Sequence, residues 1–258
     1  MRRLSDSREI LERHDRELRA LVEQRTSTKA VQWSDPAQWA EKCRILKGEP
    51  FSFKDRDYLL PIYRNTHPRT IIVKARQMEM TEYLVNWLLH NLTTFPNTVG
   101  IYTAPRADQV SRFSRDRLRR AIKDSPMLRH NLEVARAEEG KEAITRIPFA
   151  NGSILYLVTA WGDFGAIRNI PSDFVTIDEI QDVQAEAIPV IEESMSHSEH
   201  RRMVIVGTAS ESGSEFDRLW QQSTMQEWTG TAWVPKKPSI RSENLSRMDC
   251  EYCSVLAP

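Results

Sequence analysis

Phe174-Val175-Thr176-Ile177-Asp178-Glu179 is a short apolar run that stops on two adjacent carboxylates. Pro171-Ser172-Asp173 precede it and a polar stretch follows, so its length and bounds are those of a buried strand. In a parallel sheet, ligands gather beyond the carboxyl ends of the strands, which is where Asp178 and Glu179 would emerge. One carboxylate there can hold a magnesium ion, commonly through water, because Mg2+ is hard and takes oxygen ligands. Its neighbour can orient and deprotonate an attacking water. Asp and Glu also suit the first turn of a helix, facing the positive end of its dipole. The pair by itself leaves both readings open.

Working outward, Thr70-Ile71-Ile72-Val73-Lys74 has the pattern of a second strand. Ala75-Arg76-Gln77-Met78-Glu79-Met80-Thr81 follows as a loop, and then a helix whose apolar stripe is Leu84, Val85, Leu88, Leu89 and Leu92. Strand, loop and helix in this order, with a Thr at the helix start, is the layout of a phosphate-binding P-loop. There, backbone N–H groups and the helix N-terminus cradle phosphates while the hydroxyl reaches Mg2+. The residues depart from the usual pattern at one point: Glu79-Met80 stand where Gly-Lys would precede the Thr. Glu79 lacks glycine's freedom at positive φ and brings a negative charge towards an anion. Downstream, Met203-Val204-Ile205-Val206 forms a third apolar run, ending in Gly207-Thr208-Ala209-Ser210. A small hydroxyl-rich turn at a strand end can sense a terminal phosphate, and it can equally be a plain turn.

In order and spacing, these three pieces resemble the ATPase domain of phage terminase large subunits, from about Phe51 to Trp228. Arg76-Gln77-Met78 and Thr81 match that family's phosphate loop, whereas Glu79 and Met80 do not. Lys74 fits a family variant in which the loop lysine stands seven residues before the hydroxyl of Thr81. Asp178 and Glu179 match the strand ending in Asp-Glu, and Gly207, Thr208, Ala209 and Ser210 match the coupling motif. Arg168, in Gly165-Ala166-Ile167-Arg168-Asn169, matches an arginine that reaches a neighbouring subunit's ATP. The adenine-contacting segment would correspond to Phe51-Ser52-Phe53-Lys54-Asp55-Arg56-Asp57-Tyr58, with Tyr58 as its aromatic contact.

The resemblance implies an α/β, P-loop NTPase-like fold with a largely parallel central sheet flanked by helices and a hairpin insertion. It implies ATP hydrolysis that powers entry of double-stranded viral DNA into a procapsid. Thr81 and Asp178 would organise Mg2+, Glu179 would activate water, and Lys74 and Arg76 would offset phosphate charge. The implied partners are double-stranded DNA, a portal protein, a small terminase subunit and copies of the chain itself in a ring. The implied location is the cytoplasm of the infected host, transiently at the procapsid portal. Family members commonly continue into a nuclease domain, and the length leaves no room for one, so nuclease activity is not expected. Two rival readings share the same residues. One is a helicase-like ATPase acting on nucleic acid; the other is a non-catalytic nucleotide-binding or assembly module with a decayed loop at Glu79 and Met80.

Composition adds bounds. Lysine plus arginine number 36 and aspartate plus glutamate 36, so net charge gives no pointer to nucleic acid. No apolar run approaches the ~18 residues of a membrane span, and the N-terminus leads into no secretory segment. Cys250 and Cys253 are half of a zinc ribbon at most, since no second pair follows. His197 and His200 lie among Glu, Ser and Arg without ligand-like surroundings. Three units are expected: a charged helix over 1–30, the ATPase domain over 31–215, and a lid-like segment with a loose tail over 216–258. Within the domain, Ser34-Asp35-Pro36 starts a helix, Thr98-Val99-Gly100-Ile101-Tyr102 is a strand, and Asn151-Gly152 turns a hairpin between apolar runs at 144–149 and 154–158. Residues 106–129 hold eight Arg and Lys against three Asp, which suits either a solvated helix face or one that tracks a phosphate backbone.

Overall fold

The computed structural model describes residues 35–75, 77–130, 145–162, 164–208, 212–228, 232–235 and 253–256. The expected helix over 1–30, Arg76, Ala209, Ser210, Cys250 and most of the C-terminal stretch lie outside the described residues.

Helix α1 (Pro36–Cys43) starts as its sequence requires: Asp35 accepts from the Ala37 N–H and Pro36 occupies the first turn, where a missing N–H costs nothing. A small hairpin, β1 (Ile45–Leu46) and β2 (Glu49–Pro50), precedes α2 (Leu59–Tyr63). Then come β3 (Arg69–Lys74), α3 (Met80–Thr94), β4 (Val99–Ala104) and α4 (Ala107–Arg112). A π-helical turn, Phe113–Leu118, runs on into α5 (Arg119–Asp124). Next are β5 (Arg146–Pro148), β6 (Ile154–Thr159), α6 (Gly165–Arg168), β7 (Phe174–Ile177) and a 3-10 turn at Ile180–Asp182. The last elements are α7 (Ala187–Glu193), β8 (Arg202–Thr208), α8 (Glu215–Gln221), β9 (Gln226–Trp228), β10 (Trp233–Pro235) and β11 (Cys253–Leu256).

The main sheet has the order β10-β9-β11-β3-β8-β7-β4-β6-β5. Every pairing from β9 to β6 is parallel; β10 and β5 run antiparallel at the two edges. Strand β8, last of the central five in sequence, lies between β3 and β7, so the ends of those three strands sit side by side. Alternate residues serve opposite layers, as a two-sided strand requires. Ile72, Val204, Val206, Phe174 and Leu155 face α1, α3 and the helices after β4, whereas Ile71, Met203, Ile205, Val175 and Ile177 face α6, α7 and α8. The expected stripe of α3 is fully buried at Leu84, Val85, Leu88, Leu89 and Leu92.

The Asn151-Gly152 hairpin forms, with Gly152 at φ +81°, but β6 pairs in parallel with β4 along its full length. The hairpin therefore belongs to the main sheet and is not an appendage. Within the stretch after Trp228, where a loose tail is expected, Cys253–Leu256 pairs with residues 70–73 of β3 and supplies its outer partner. Four residues carry too little periodicity to announce a strand; the open hydrogen-bonding edge of β3 is what recruits them.

Arg44, buried between α1, α3 and α5, fastens the layer under the sheet. Its guanidinium donates to Asn86, to the carbonyls of Ile45 and Ala121 at 3.2 Å, to Ser125 Oγ at 3.3 Å and to Glu82 Oε2 at 3.0 Å. Glu82 also accepts from Arg117 at 3.1 Å, and Asn86 donates to the Tyr63 hydroxyl at 2.8 Å. Removing one partner of a buried charged pair strands the other, at a cost of about 3–5 kcal/mol. Arg44→Ala should lower the urea-unfolding free energy by that order, and a loss under ~1 kcal/mol would show that Arg117 alone satisfies Glu82.

Candidate functional site

Strand β3 delivers Lys74 to its carboxyl end, and α3 starts six residues later at Met80. The connecting loop has the backbone that glycines usually supply: Gln77 sits at φ +66° and Glu79 at φ +54°, both left-handed. A non-glycine residue there costs of the order of 1 kcal/mol. The charge of Glu79 is met by Arg56, whose Nε lies 2.7 Å from Glu79 Oε2. Tyr58 donates from its hydroxyl to the Met78 carbonyl at 3.3 Å and so ties the adenine-side segment to the loop. Its phenol pKa is raised, first by burial and then by Glu79. Phe51 and Phe53 do not line an open cleft. They are buried and meet each other edge-on, and Phe53 meets Tyr63 edge-on as well.

Met80 needs a correction. Its side chain is 1% exposed and belongs to the apolar core, so only its backbone remains to face a phosphate. The reason is geometric: at the first position of a helix packed on nearly all sides, the side chain is turned towards the sheet. Thr81, next in the chain, is half-buried.

Beyond β7, Asp178 is buried and held on three sides. It accepts from the Tyr102 hydroxyl at 3.1 Å and from the Glu179 N–H at 3.1 Å, and its own N–H donates to Thr103 O at 2.9 Å. Burial, and then the charge of Glu179, push the Asp178 carboxyl up to about 6. Glu179 itself stands at φ +53°, turning its side chain away from that of Asp178 towards β3 and β8. There Lys74 Nζ lies 3.1 Å from Glu179 Oε1 and donates to Thr208 Oγ1 at 3.5 Å. Gln181 closes the ring: its amide donates to Glu179 Oε2 at 2.7 Å, and its carbonyl accepts from the Thr208 N–H at 3.1 Å. Gly207 permits this approach, because a Cβ on it would lie 2.5 Å from Ile180 Cγ2 and 2.8 Å from Gln181 Oε1.

The structure thus brings Lys74, Asp178, Glu179 and Thr208 together at one end of the sheet. Arg168 ends the short helix α6 and is exposed. A structural pairing with Asp173 does not occur, because Asp173 accepts instead from the Val99 N–H at 2.8 Å and from the Ser198 hydroxyl at 2.5 Å. Three further participants went unread in the sequence. Gln181 and Tyr102 bracket the two carboxylates, and Arg56 neutralises Glu79. Only Arg56 left a trace, since an uncompensated Glu in an anion-binding loop asks for a cation somewhere.

The oxygen donors of Asp178 and Thr81 suit a hard cation such as Mg2+, which is commonly held by one or two carboxylates together with substrate phosphates. Among the described residues no group of three or more His, Cys, Asp and Glu could hold a metal ion. Among the described residues no helix is long and apolar enough to cross a membrane.

A parallel sheet with a lysine, an Asp-Glu pair and a hydroxyl at adjacent strand ends, next to a helix N-terminus, is the apparatus of a nucleotide-hydrolysing α/β domain. The chain belongs to the phage terminase large subunit gpA family, whose ATPase domain matches residues 61–231. Among solved structures, the large terminase ATPase domain of Thermus phage P74-26 is similar, with a TM-score of 0.54 and 17% identity over 77% of this chain and 78% of that one. An arginine-to-alanine mutant of that same domain gives 0.51 and 15%, over 77% and 79%. These likenesses concern the fold. No curated protein sequence matches the chain.

The raised pKa of Asp178 has a measurable sign. An unfolded Asp ionises near 3.8, the folded one only near 6, so the folded state holds the proton more tightly. That contribution to stability is complete below pH ~4 and is lost as pH rises through ~6. Asp178→Asn, melted in EDTA, should therefore exceed the parent's stability at pH 7–8 by up to about 3 kcal/mol, with the gap closing below pH ~4. A gap that does not vary with pH would remove ionisation as its cause.

Proposed function

We propose that this domain hydrolyses ATP to ADP and phosphate and uses the energy to move double-stranded viral DNA into a procapsid. The observation that carries the reading is the ring of Lys74, Glu179, Gln181 and Thr208 across three adjacent strand ends. It joins an ammonium, a carboxylate, an amide and the Thr208 hydroxyl in one hydrogen-bonded unit.

In this reading, phosphates lie against the backbone of the loop at 75–80 and the first turn of α3, where unpaired N–H groups and the helix dipole favour anions. Lys74 offsets phosphate charge in place of the lysine usually found where Met80 stands, and Arg76 adds to it. Asp178 and Thr81 would hold Mg2+, which would supply charge neutralisation at the phosphate oxygens. Glu179 orients and deprotonates the attacking water. Glu179 shares the Lys74 ammonium, and a phosphate bound there would compete for that ammonium and free the carboxylate. Gln181 then reports the change to Thr208 and the turn through Ser210. Arg168, exposed on α6, serves the site of a neighbouring copy. The partners are DNA, a portal ring, a small terminase subunit and further copies in a ring, in the host cytoplasm and transiently at the portal.

The burial of Met80 and the presence of Glu79 favour a second reading, a nucleotide-binding assembly module without turnover. Glu179→Gln should keep ATP affinity and lower turnover by about 10²-fold or more, and Lys74→Ala should abolish hydrolysis. A parent that binds ATP without hydrolysing it would select the second reading.

Arg168 predicts behaviour that depends on assembly. Turnover should rise more steeply than linearly with protein concentration, and mixing Arg168→Ala with Glu179→Gln should recover part of the activity each lacks alone. Assembled mixtures without recovery would place Arg168 outside the neighbouring subunit's site.

A further inference from the structure

We propose that the helical run from α4 through the π-helical turn into α5 is a surface that grips the phosphate backbone of duplex DNA. We further propose that this grip is tied by side-chain contact to both halves of the nucleotide site. The inference rests on the reading of the chain as a nucleotide-driven DNA motor and assigns the DNA contact to a defined place.

The pattern of burial makes the surface. Val110, Phe113, Ser114, Leu118, Ala121 and Ile122 are buried along the run. The wide π turn sets Phe113 and Leu118 five residues apart, which leaves Arg115, Asp116 and Arg117 consecutively exposed. Arg106, Arg112, Arg120, Lys123 and Arg129 are exposed as well, so a chain that is neutral overall collects its largest cationic excess here. The three acidic residues of the run sit in exposed, short-range pairs: Arg112–Asp108 at 2.8 Å, Arg115–Asp116 at 2.7 Å and Arg120–Asp124 at 3.5 Å. Pairs of that kind contribute about 0–1 kcal/mol and exchange readily for phosphate, which a guanidinium binds through two parallel hydrogen bonds. Residues 107–124 span ~27 Å at helical rise, most of the ~34 Å of one duplex turn. A protein partner fits less well, since interface cores are depleted of charge and rich in aromatics, and the run exposes no aromatic side chain.

Two contacts fasten this run to the site. The ring of Phe113, first residue of the π turn, stacks on Tyr102 at 3.5 Å and 5° between planes, and the Tyr102 hydroxyl donates to Asp178. Arg117, near the other end of the turn, pairs with Glu82, the residue after Thr81 in the first turn of α3. A displacement of either the Asp178 strand end or the phosphate-loop helix therefore acts on the same turn. π turns are uncommon and concentrate at functional sites. By linkage, DNA on this face and nucleotide in the site must change each other's affinity by the same factor.

The test uses the full chain, a fluorescent blunt 30-base-pair duplex of mixed sequence, and a non-hydrolysable ATP analogue with Mg2+; DNA affinity is followed by anisotropy across KCl concentrations. The triple variant Arg112→Gln, Arg115→Gln and Arg120→Gln should bind at least ~10-fold more weakly, with a salt slope shallower by about 2–3. Its ATP turnover without DNA should be that of the parent. In the parent, the analogue should change DNA affinity ~5-fold or more. Phe113→Leu, and Tyr102→Phe, which keeps the ring and hence the stack, should retain nucleotide-free DNA affinity within about twofold while that change collapses. A triple variant with the parent's affinity and slope overturns the surface, as does one that loses self-association while DNA binding is kept. A nucleotide effect that is absent in the parent, or intact in both Phe113→Leu and Tyr102→Phe, overturns the tie. An inactive parent whose DNA binding still depends on the arginines would refute the ATPase reading and leave the surface standing.

Discussion

Three parallel strands that end at the same level set everything else in this domain. Because β8 pairs with β3 on one side and β7 on the other, Lys74 meets Glu179, 105 residues on, and Thr208, 134 residues on, at one edge. Parallel pairing forces the helices to the faces of the sheet and leaves this edge open. The ammonium of Lys74 can then meet Glu179 at 3.1 Å without either charge being fully withdrawn from water. The two neighbouring carboxylates also part ways here. Asp178 stays under the sheet edge, buried and held by Tyr102, whereas Glu179 adopts a left-handed backbone and swings out to the lysine. Adjacent side chains on an extended strand point to opposite faces, and the positive φ of Glu179 resets that alternation between the two carboxylates.

The phosphate loop shows how a backbone can be kept while the residues that usually make it are replaced. Glu79 holds a conformation that glycine would take without strain, and Arg56 cancels the charge that glycine would not have brought. Met80 takes its side chain into the core, and the ammonium of Lys74 stands at the other end of the loop. The changes are mutually dependent. A cation at Met80 would be desolvated among apolar neighbours, whereas the Lys74 ammonium, 11% exposed at a strand end, has the Glu179 carboxylate as its partner. Tyr58 bonds to the loop carbonyl of Met78 and restrains the same segment from the opposite side.

Beneath the loop, the buried guanidinium of Arg44 joins α1, α3 and α5 through five hydrogen bonds, with Glu82 and Asn86 on α3 as its charged and amide partners. Burying a charge is costly unless its hydrogen-bonding capacity is met. Here that condition fixes the rotation of α3 about its axis. That rotation decides where Thr81, one residue before Glu82, stands relative to the end of β7. Structural and functional polar groups are therefore continuous along a single turn of helix, and the arginine-bearing π turn joins them through Arg117.

The strands and the helix carrying the site were legible in the sequence because each has its own local signature. Phe174 to Ile177 is an unbroken apolar run, α3 repeats its leucines at helical spacing, and Asp35-Pro36 is a helix start in two residues. The candidate residues Lys74, Asp178, Glu179 and Thr208 were legible for the same reason, since each stands where a local pattern stops. Partners across the sheet were not legible. That Gln181 bridges Glu179 to Thr208, that Arg56 answers Glu79, and that Tyr102 holds Asp178 all depend on strand order, which no local periodicity encodes. The burial of Met80 and the pairing of residues 253–256 with β3 were likewise decided by tertiary structure. One follows from the face a helix turns to its sheet, the other from an open hydrogen-bonding edge that has to be filled. Sequence determined which segments would become strands and helices and which chemistry each end would carry. Only the packed sheet decided which of those ends would meet, because contact between distant residues is a property of topology and not of spacing along the chain.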